Sequence, residues 1–311
     1  MKPRAFQQVD VFTDTAFLGN PLAVVLDGEG LSDAQMQAFA AWTQLSETTF
    51  VLPPTPQGAA GGADYRVRIF TPGAELPFAG HPTLGTAHAW RQAGGQPRQA
   101  GQLVQECGVG LVTLKSMGQR WAFAAPPLTR QDISAEDLAP VLAALGLDAA
   151  AVIAAQHLNN GPRWLGLLVN GVDTVLALEP DHAALKKLGT KVGVAARRHA
   201  PADAAGLGLI RRANREARAF APSSRVVNDP TDLEVRAFAA PLGVTEDPVT
   251  GSLNASLAQW LIQDGHLPTQ YSARQGTQLG RAGHVVLSQD EKGQVWVGGD
   301  VVGCIQGSVT L

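Results

Sequence analysis

Short hydrophobic runs, many of them rich in β-branched residues, alternate along the chain with turns that contain glycine and proline. Such runs predict β-strands, because branched side chains pack well on a pleated sheet, which glycine and proline interrupt. In the first half we expect strands at 5–12, 22–26, 48–52, 65–70, 103–107, 111–115 and 121–124. A further set is predicted between 271 and 311, whereas the region 190–234 has no clear pattern.

Helical periodicity is confined to a few segments. Ser32 and Ser134 each precede an amphipathic segment and have the side chain of an N-cap. The predicted helices are 33–45, a helix after His81 that ends near Gly94, 135–146, and an apolar helix after Ser252. Many strands around few helices predict an α+β fold.

Proline-rich segments divide the chain. The segment 53–62 has three prolines and three glycines and is predicted to be a loop that closes a hairpin onto 65–70. Pro126 and Pro127 indicate a linker, because paired prolines do not fit into regular strand pairing. We therefore expect a first domain at 1–125 and a second at 126–311, with the last strand packed back on the first domain.

One phrase of the sequence occurs twice. Residues 75–90 are echoed by 246–260, and each copy has an acid and a proline ahead of a glycine, which an apolar helix follows. Upstream of each copy lies a second shared phrase, Val-Arg-Ile-Phe at 67–70 and Val-Arg-Ala-Phe at 235–238. The repeat predicts two similar halves, each a mixed sheet or barrel wrapped around one central helix.

Each copy is expected to direct a helix N-terminus at a ligand. Free backbone N–H groups and the helix dipole attract anions, so the turns at Gly80 and Gly251 predict a grip on a small anionic metabolite. Pro82 is expected at the first helical position, which places His81 at the cap with its imidazole free. Ser252 takes the place of His81 in the second copy. The alternative is that both turns are purely structural.

Two acids near these motifs are candidates for proton transfer. Glu47 lies between a predicted helix and an apolar strand, where partial desolvation would raise its pKa toward that of a useful general acid. An ordinary surface glutamate at a helix end is the alternative. Asp247 precedes Gly251 by four residues and either orients a ligand, acts as a base, or stabilises the turn ahead of Pro248.

Composition narrows the function classes. The chain has 311 residues, 45% of them hydrophobic and 16% charged, as expected of a globular protein with a substantial core. The net charge of −3 gives no electrostatic reason to expect nucleic acid, and the basic cluster at 211–218 lacks interleaved aromatic residues and is interpreted as a solvated face. No uncharged apolar stretch approaches the roughly 18 residues of a membrane span.

Further absences in the sequence limit the chemistry. The N-terminus lacks the apolar region of a signal peptide, and Cys107 and Cys304 are predicted to be free thiols, which fits the cytoplasm. Metal-binding motifs, nucleotide-binding glycine motifs and the serine-hydrolase elbow are missing from the sequence. We therefore expect neither a metal nor an organic cofactor.

Taken together, these phrases resemble the PhzF family of phenazine-biosynthesis-like isomerases, which share the diaminopimelate epimerase fold. The resemblance extends over essentially the whole chain. It is carried by segments in the family's order, at 9–13, 19–24, 46–50, 68–72, 80–83, 246–252, 275–276 and 280–281.

The resemblance implies two similar domains with an active site in the cleft between them, and a homodimer. Carried over by motif, the catalytic residues are Glu47, His81 and Asp247, and the substrate-binding residues are Asn20, Gly80, His81, Gly251 and Ser252. In this set Glu47 shuttles the proton, and the glycine turns present backbone amides to the carboxylate of the substrate.

One departure from the racemases of this fold bears on mechanism. Those cofactor-independent enzymes use two opposed thiols, one beside each glycine turn, whereas this chain has Ala79 and Thr250 at those places. We therefore expect an isomerase that moves a proton within a small carboxylate-bearing substrate by means of a single carboxylic acid. The alternatives are an epimerase or racemase with Asp247 as the second base, and a non-catalytic protein that binds small acids.

Overall fold

The computed structural model describes residues 1–118, 120–198 and 231–311. The basic cluster at 211–218 and most of the poorly patterned region 190–234 lie outside the described residues. Helices in the described part are α1 (Asp33–Thr43), α2 (Pro56–Ala60), α3 (Gly80–Gln92), α4 (Ala135–Leu145), α5 (Val172–Leu176), α6 (His182–Leu188) and α7 (Gly251–Gln263).

Seventeen strands occur in the described residues. In the first half they are β1 (Pro3–Val11), β2 (Asn20–Val25), β3 (Thr48–Leu52), β4 (Tyr65–Phe70), β5 (Glu75–Leu76), β6 (Gln102–Cys107), β7 (Gly110–Met117), β8 (Arg120–Ala124) and β9 (Thr129–Gln131). In the second half they are β10 (Val152–Asn159), β11 (Arg163–Val169), β12 (Val192–Arg197), β13 (Leu233–Phe238), β14 (Gln270–Gln275), β15 (Gly283–Gln289), β16 (Val295–Gly299) and β17 (Val301–Thr310).

The predicted elements of the first half are confirmed to within about two residues at most ends. Ser32 caps α1 in a capping box, in which the Ser32 side chain accepts from the Gln35 backbone N–H and the Gln35 side chain accepts from the Ser32 backbone N–H. The helix ends at Thr43 instead of 45 because Gln44 adopts a left-handed conformation with φ of 55°. Ser134 and Gly146 likewise cap the two ends of α4.

The prediction of an uninterrupted loop at 53–62 is wrong, because the short helix α2 lies within it. The hydroxyl of Thr55 accepts a hydrogen bond from the Gly58 N–H at 3.0 Å and so caps this helix. Pro56 occupies the first helical position, where a missing N–H breaks no intrahelical bond. The predicted hairpin is present, since β3 pairs antiparallel with β4.

The strands pair in the same order twice. In the first half β1–β2 is antiparallel, β2–β3 parallel, β3–β4 antiparallel, β4–β6 parallel, and β6–β7–β8 antiparallel. In the second half β10–β11, β11–β12, β12–β13, β13–β14 and β14–β15–β16 repeat these orientations. One long helix, α3 or α7, follows the fourth strand of each set. The predicted duplication of a mixed sheet around one helix is confirmed.

Three further ladders complete the pairing, and the first of them joins the two sets of strands. Strand β8 pairs antiparallel with β16, and β9 pairs with β10. The last strand, β17, returns to pair with β1, with a register irregularity between Gln8 and Val9. All seventeen strands thus belong to one hydrogen-bonded network.

Helices α3 and α7 are buried between strands. Helix α3 packs on β1, β2, β3 and β8, and α7 packs on β10, β11, β15 and β16. Leu84 and Ala87 of α3 share one hydrophobic cluster with Leu253, Leu257 and Trp260 of α7. Most residues of both helices are buried, which matches their central place. No helix in the described ranges is both long and apolar enough to span a membrane.

The two central helices approach each other at their first residues. A methyl group added to Gly251 would lie 3.2 Å from the Cα of Gly80 and 3.3 Å from the backbone nitrogen of His81. A methyl group added to Gly80 would lie 2.6 Å from Cζ of the fully buried Phe123. These glycines are therefore needed for the close approach.

We predict that Gly80→Ala lowers the free energy of unfolding by roughly 1–3 kcal/mol, because the added methyl overpacks the contact with Phe123. The matched control is Gly73→Ala, since Gly73 is exposed and a methyl there meets nothing within 4 Å. Urea unfolding followed by circular dichroism measures both. Equal stability of the two variants would show that the approach tolerates a side chain.

Candidate active site

The N-termini of α3 and α7 are not capped by side chains. The N-cap residues are Ala79 and Thr250, and neither side chain bonds to its helix. The Thr250 hydroxyl instead donates to Oδ2 of Asp247 at 2.6 Å. Backbone N–H groups of both first turns thus remain without a side-chain cap, which suits an anionic ligand.

The expected position of His81 at the cap is wrong. Ala79 has extended backbone angles and Gly80 already starts the helix, so His81 is its second residue and Pro82 its third. Pro82 still lies in the first turn, where its missing N–H breaks no intrahelical hydrogen bond. Ser252 is likewise the second residue of α7, so the two side chains occupy equivalent places.

Glu47 lies against His81. Its Oε2 is 3.5 Å from Nδ1 of His81, and the two side chains are only 15% and 6% exposed. Burial, and to a smaller extent the nearby Asp247 carboxylate, together raise the pKa of Glu47 to about 8. The Oε2 atom is buried and has no hydrogen-bond partner within the described residues.

The contact between Glu47 and His81 is not an ion pair at neutral pH. Burial lowers the pKa of His81 to about 3, opposed by a hydrogen bond to the Pro21 backbone, so the imidazole is neutral. Glu47 is mostly protonated at the same pH. The His81 Nε2 atom is also buried and unpartnered in the described part of the chain. Both side chains therefore have unused hydrogen-bonding capacity.

Asp247 is held by two neutral donors. Asn20 Nδ2 donates to Oδ1 at 3.1 Å, and Thr250 Oγ1 donates to Oδ2. The pKa of Asp247 is raised to about 6, mainly by burial; the hydrogen bonds from Thr250 and Asn20 oppose this rise, and the charge of Glu246 adds to it. Because both donors favour the ionised carboxylate, Asp247 is an acceptor above that pH.

Asn20 connects distant parts of the sequence. It is fully buried at the start of β2, and its Nδ2 also donates to the Val249 carbonyl at 2.9 Å. The preceding Gly19 N–H donates to the buried Asp10 carboxylate at 2.9 Å, which fixes the turn that delivers Asn20. Asn20 thus joins the first half to the loop that precedes α7.

Sequence reasoning missed Gln275 and Asn254. Gln275 is fully buried and accepts from the Thr250 N–H and from Asn254 Nδ2, while its own Nε2 donates to the Asp247 carbonyl. Asn254 Nδ2 also donates to the Thr250 carbonyl. The only sequence signal was the Gln-Gly pair at 275–276, which belongs to the resemblance but carries no chemical pattern of its own.

Ser252 belongs to a separate polar group at the start of α7. Its hydroxyl accepts from Trp164 Nε1 at 3.2 Å, and its carbonyl accepts from Asn160 Nδ2 at 3.0 Å. Asn160 Oδ1 is buried without a hydrogen-bond partner among the described residues. The structure thus gives Ser252 neighbours different from those of Glu47 and His81.

The strand registers relate Glu47 to a residue of opposite charge. Strand β3 begins at Thr48, which pairs with Phe70, and β12 begins at Val192, which pairs with Phe238. Because these two phenylalanines end the repeated upstream phrases, Thr48 and Val192 are equivalent positions. The residue before each strand is therefore Glu47 in one half and Lys191 in the other. Lys191 Nζ lies 4.7 Å from the centre of the Trp164 ring, and burial lowers its pKa.

The described residues show neither a metal cluster at this site nor an overlap of the site with the surface depression beside β7. Within the described ranges, no three or more His, Cys, Asp or Glu side chains are grouped to hold a metal ion. An open depression of about 630 Å³ between β7 and the β14–β15 hairpin is lined by Lys115, Tyr271 and Asp290, among others, and includes none of the candidate residues. Both cysteines are free.

The protonated Glu47 carboxyl against the first turn of α3 is chemically able to give and take a proton. A family model, the phenazine biosynthesis-like proteins (PhzC/PhzF), matches residues 9–231 and 229–307. Among curated proteins, Antisense-enhancing sequence 1 of Schizosaccharomyces pombe is 32% identical and covers 99% of each chain. The trans-2,3-dihydro-3-hydroxyanthranilate isomerase of Pseudomonas aeruginosa is 32% identical over 92% of this chain and 90% of its own.

Solved structures agree with the fold. A PhzF-family protein of Bacillus anthracis superimposes with a TM-score of 0.80 at 20% identity, over 100% of both chains. The chain belongs to the phenazine biosynthesis-like PhzC/PhzF family, as the resemblance predicted. It is an isomerase of that family, which sets aside the alternative of a non-catalytic binding protein.

We predict that Glu47→Gln changes how stability depends on pH. In the folded protein Glu47 keeps its proton up to about pH 8, whereas its ordinary pKa is 4.5, so wild-type stability declines as the pH rises between these values. The glutamine variant lacks this decline. Its advantage in free energy of unfolding should grow from pH 4.5 to 8 by on the order of a few kcal/mol.

Thermal and urea unfolding across this pH range, with the exposed Glu291→Gln as control, measure the difference. The control should follow the wild-type curve. A constant gap between Glu47→Gln and wild type would show that the Glu47 carboxyl titrates normally in the folded protein.

Proposed function

We propose that this isomerase moves a proton within a small carboxylate-bearing substrate, with Glu47 as the single acid/base and no cofactor. The observation that carries the proposal is the Glu47 carboxyl itself. Its Oε2 is buried, free of hydrogen-bond partners in the described residues, and part of a group with a pKa of about 8. An oxygen without a partner is available to the proton of a substrate carbon.

The raised pKa makes Glu47 a stronger base than an ordinary carboxylate. General acid/base catalysis works best when the pKa of the group lies near the working pH, because proton removal and return are then both accessible. The neutral His81 beside Glu47 retains a free nitrogen to bond the substrate. Asp247, fixed by Asn20 and Thr250, orients the substrate and assists in placing the proton.

The anion grip is assigned to the two helix N-termini. The turns at Gly80 and Gly251 approach each other closely, and their uncapped N–H groups provide donors for a carboxylate. Ser252 is positioned by Trp164 to add a hydroxyl to this grip. The name of the Pseudomonas aeruginosa relative supports a small cyclic carboxylate as the substrate class.

Domain organisation and assembly complete the proposal. We place the site in a cleft between domains 1–125 and 126–311, because Gly80 and Asn20 come from one and Gly251 and Asp247 from the other. The family resemblance supports a homodimer, and the two free cysteines fit the cytoplasm. The net charge of −3 and the lack of a long apolar stretch in the sequence support neither a nucleic-acid nor a membrane partner.

An epimerase in which Asp247 acts as a second base is the alternative. The pKa of Asp247, at about 6, and its charge interaction with Glu47 favour this possibility. Against it, both carboxylate oxygens of Asp247 already accept hydrogen bonds. Inversion of a chiral substrate, seen as a change in its circular dichroism, would support the epimerase.

We expect turnover in D₂O to place at most one deuterium at carbon per product molecule, because a single carboxylic acid both removes and returns the proton. Candidate substrates are trans-2,3-dihydro-3-hydroxyanthranilate and other small cyclic carboxylates, followed by NMR. Glu47→Gln should lower the rate by about 10²–10⁴-fold, whereas Glu291→Gln should keep it. Undiminished turnover in Glu47→Gln would remove Glu47 from its role.

We predict that kcat/KM rises with pH. The base form of Glu47 increases about tenfold per pH unit below its pKa, so a break is expected near pH 8. Below about pH 6 the slope should become steeper, because Asp247 also loses its charge there. A fall in kcat/KM through pH 8 would mean that protonated Glu47 acts first.

A further inference from the structure

A buried arginine–glutamate pair lies directly beside Asp247. Arg236 of β13 donates from Nε to Glu246 Oε1 at 3.0 Å and from Nη2 to Oε2 at 2.8 Å. Its Nη1 donates to the carbonyls of Val175 and Leu178, at 3.1 and 2.7 Å. The two charged side chains are only 6% and 7% exposed.

The first half contains the same pair. Arg68 of β4 donates from Nε and Nη2 to the two carboxylate oxygens of Glu75, at 2.7 and 2.6 Å. Each guanidinium also lies over the phenylalanine two residues later, Phe70 or Phe238, at 5.0 and 4.9 Å from the ring centre. The first pair is more open, with side chains 18% and 41% exposed. The repeated phrases thus encode the same arginine–glutamate pair twice, and we call each pair a clasp.

The two clasps differ in the residue that follows the acid. Glu75 and Glu246 each precede their helix-starting glycine by five residues, but the next residue is Leu76 in the first half and Asp247 in the second. Asp247 is further tied to the clasp through its backbone N–H, which donates to the carbonyl of Ala237, the neighbour of Arg236, at 2.9 Å. Only the second clasp holds a candidate catalytic residue.

We propose that Arg236 and Glu246 form a positioning device for Asp247. Arg236 fixes the carboxylate next to Asp247 and offsets its negative charge, so that Asp247 ionises in place. The inference rests on the proposed role of Asp247 and adds two residues to it. Neither residue contacts the proposed reacting group itself.

The charges around Asp247 come from three elements. Glu246 lies on its own loop, Arg236 on β13, and Glu47 on the segment before β3, with the neutral His81 of α3 against Glu47. In a buried environment a unit charge at short distance is weakly screened, so an uncompensated Glu246 would oppose the ionisation of Asp247. Removing Glu246 while Arg236 remains would favour it.

The single variants Arg236→Met and Glu246→Gln should therefore change the pH dependence of kcat/KM in opposite directions. The lower break is the change in slope of kcat/KM expected near pH 6, where Asp247 loses its charge. Arg236→Met should move this break to higher pH and Glu246→Gln should move it to lower pH, each by on the order of one pH unit. The double variant Arg236→Met/Glu246→Gln removes both charges, and its break should lie between those of the single variants. If Arg236→Met does not fold, Glu246→Gln and the double variant still provide the test.

The first half supplies the matched control. Arg68→Met and Glu75→Gln remove the equivalent clasp beside Leu76 and should leave the lower break in place. Asp247→Asn tests the proposed role of Asp247 separately from the proposed role of Arg236 and Glu246. If it leaves activity and the break unchanged, the proposed role of Asp247 is wrong. If it removes the break, but the Arg236 and Glu246 variants lower activity without moving it, the clasp is only structural and the inference is overturned.

Discussion

The close approach of two helix N-termini at Gly80 and Gly251 is the constraint on which the site depends. Side chains at these positions would separate the helices, because a methyl on either one meets the other or Phe123 at 3.3 Å or less. The approach brings together two sets of uncapped N–H groups that are distant in sequence. It also brings His81 to the loop that carries Asp247. The mixed sheet around each helix serves to hold these two ends in place.

The duplicated frame holds a site whose two sides differ. At equivalent positions, Glu47 is matched by Lys191 and Asp247 by Leu76, whereas Arg68 and Arg236 perform the same task on both sides. The two halves are therefore alike in the residues that build the frame and differ at the proposed site residues. A symmetric site would have acids at all four of these positions, whereas here Lys191 and Leu76 stand at two of them.

Much of the frame was predictable from the sequence, because strands, caps and the repeat leave local signals. Ser32 and Ser134 have capping side chains, and the repeated phrases contain the glycine and the clasp residues. The helix start was misjudged by two residues at Pro82, since Pro is tolerated throughout the first turn and not only at its first position. Gln275 was missed because its role arises from contacts between segments far apart in sequence.

The state of the Glu47 carboxyl was only partly predictable. Position between a helix and an apolar strand indicated desolvation, but the second cause, the Asp247 carboxylate, comes from 200 residues further along the chain. The size of the pKa shift depends on how the fold buries the two acids together. Sequence reasoning thus identified the residue and one of the two causes.

In the proposed mechanism, the two carboxyl groups also explain why a single acid would suffice. A carboxylate of ordinary pKa is a weak base toward carbon, and the raised pKa of about 8 makes Glu47 a stronger one. The same pKa leaves the Glu47 carboxyl ionised in only about a tenth of the molecules at pH 7. An anionic substrate bound nearby adds a further negative charge, which strengthens the base again. The helix N-termini oppose that repulsion and allow the substrate to bind. The grip at Gly80 and Gly251 and the basicity of Glu47 are therefore parts of one electrostatic arrangement, in which each makes the other effective.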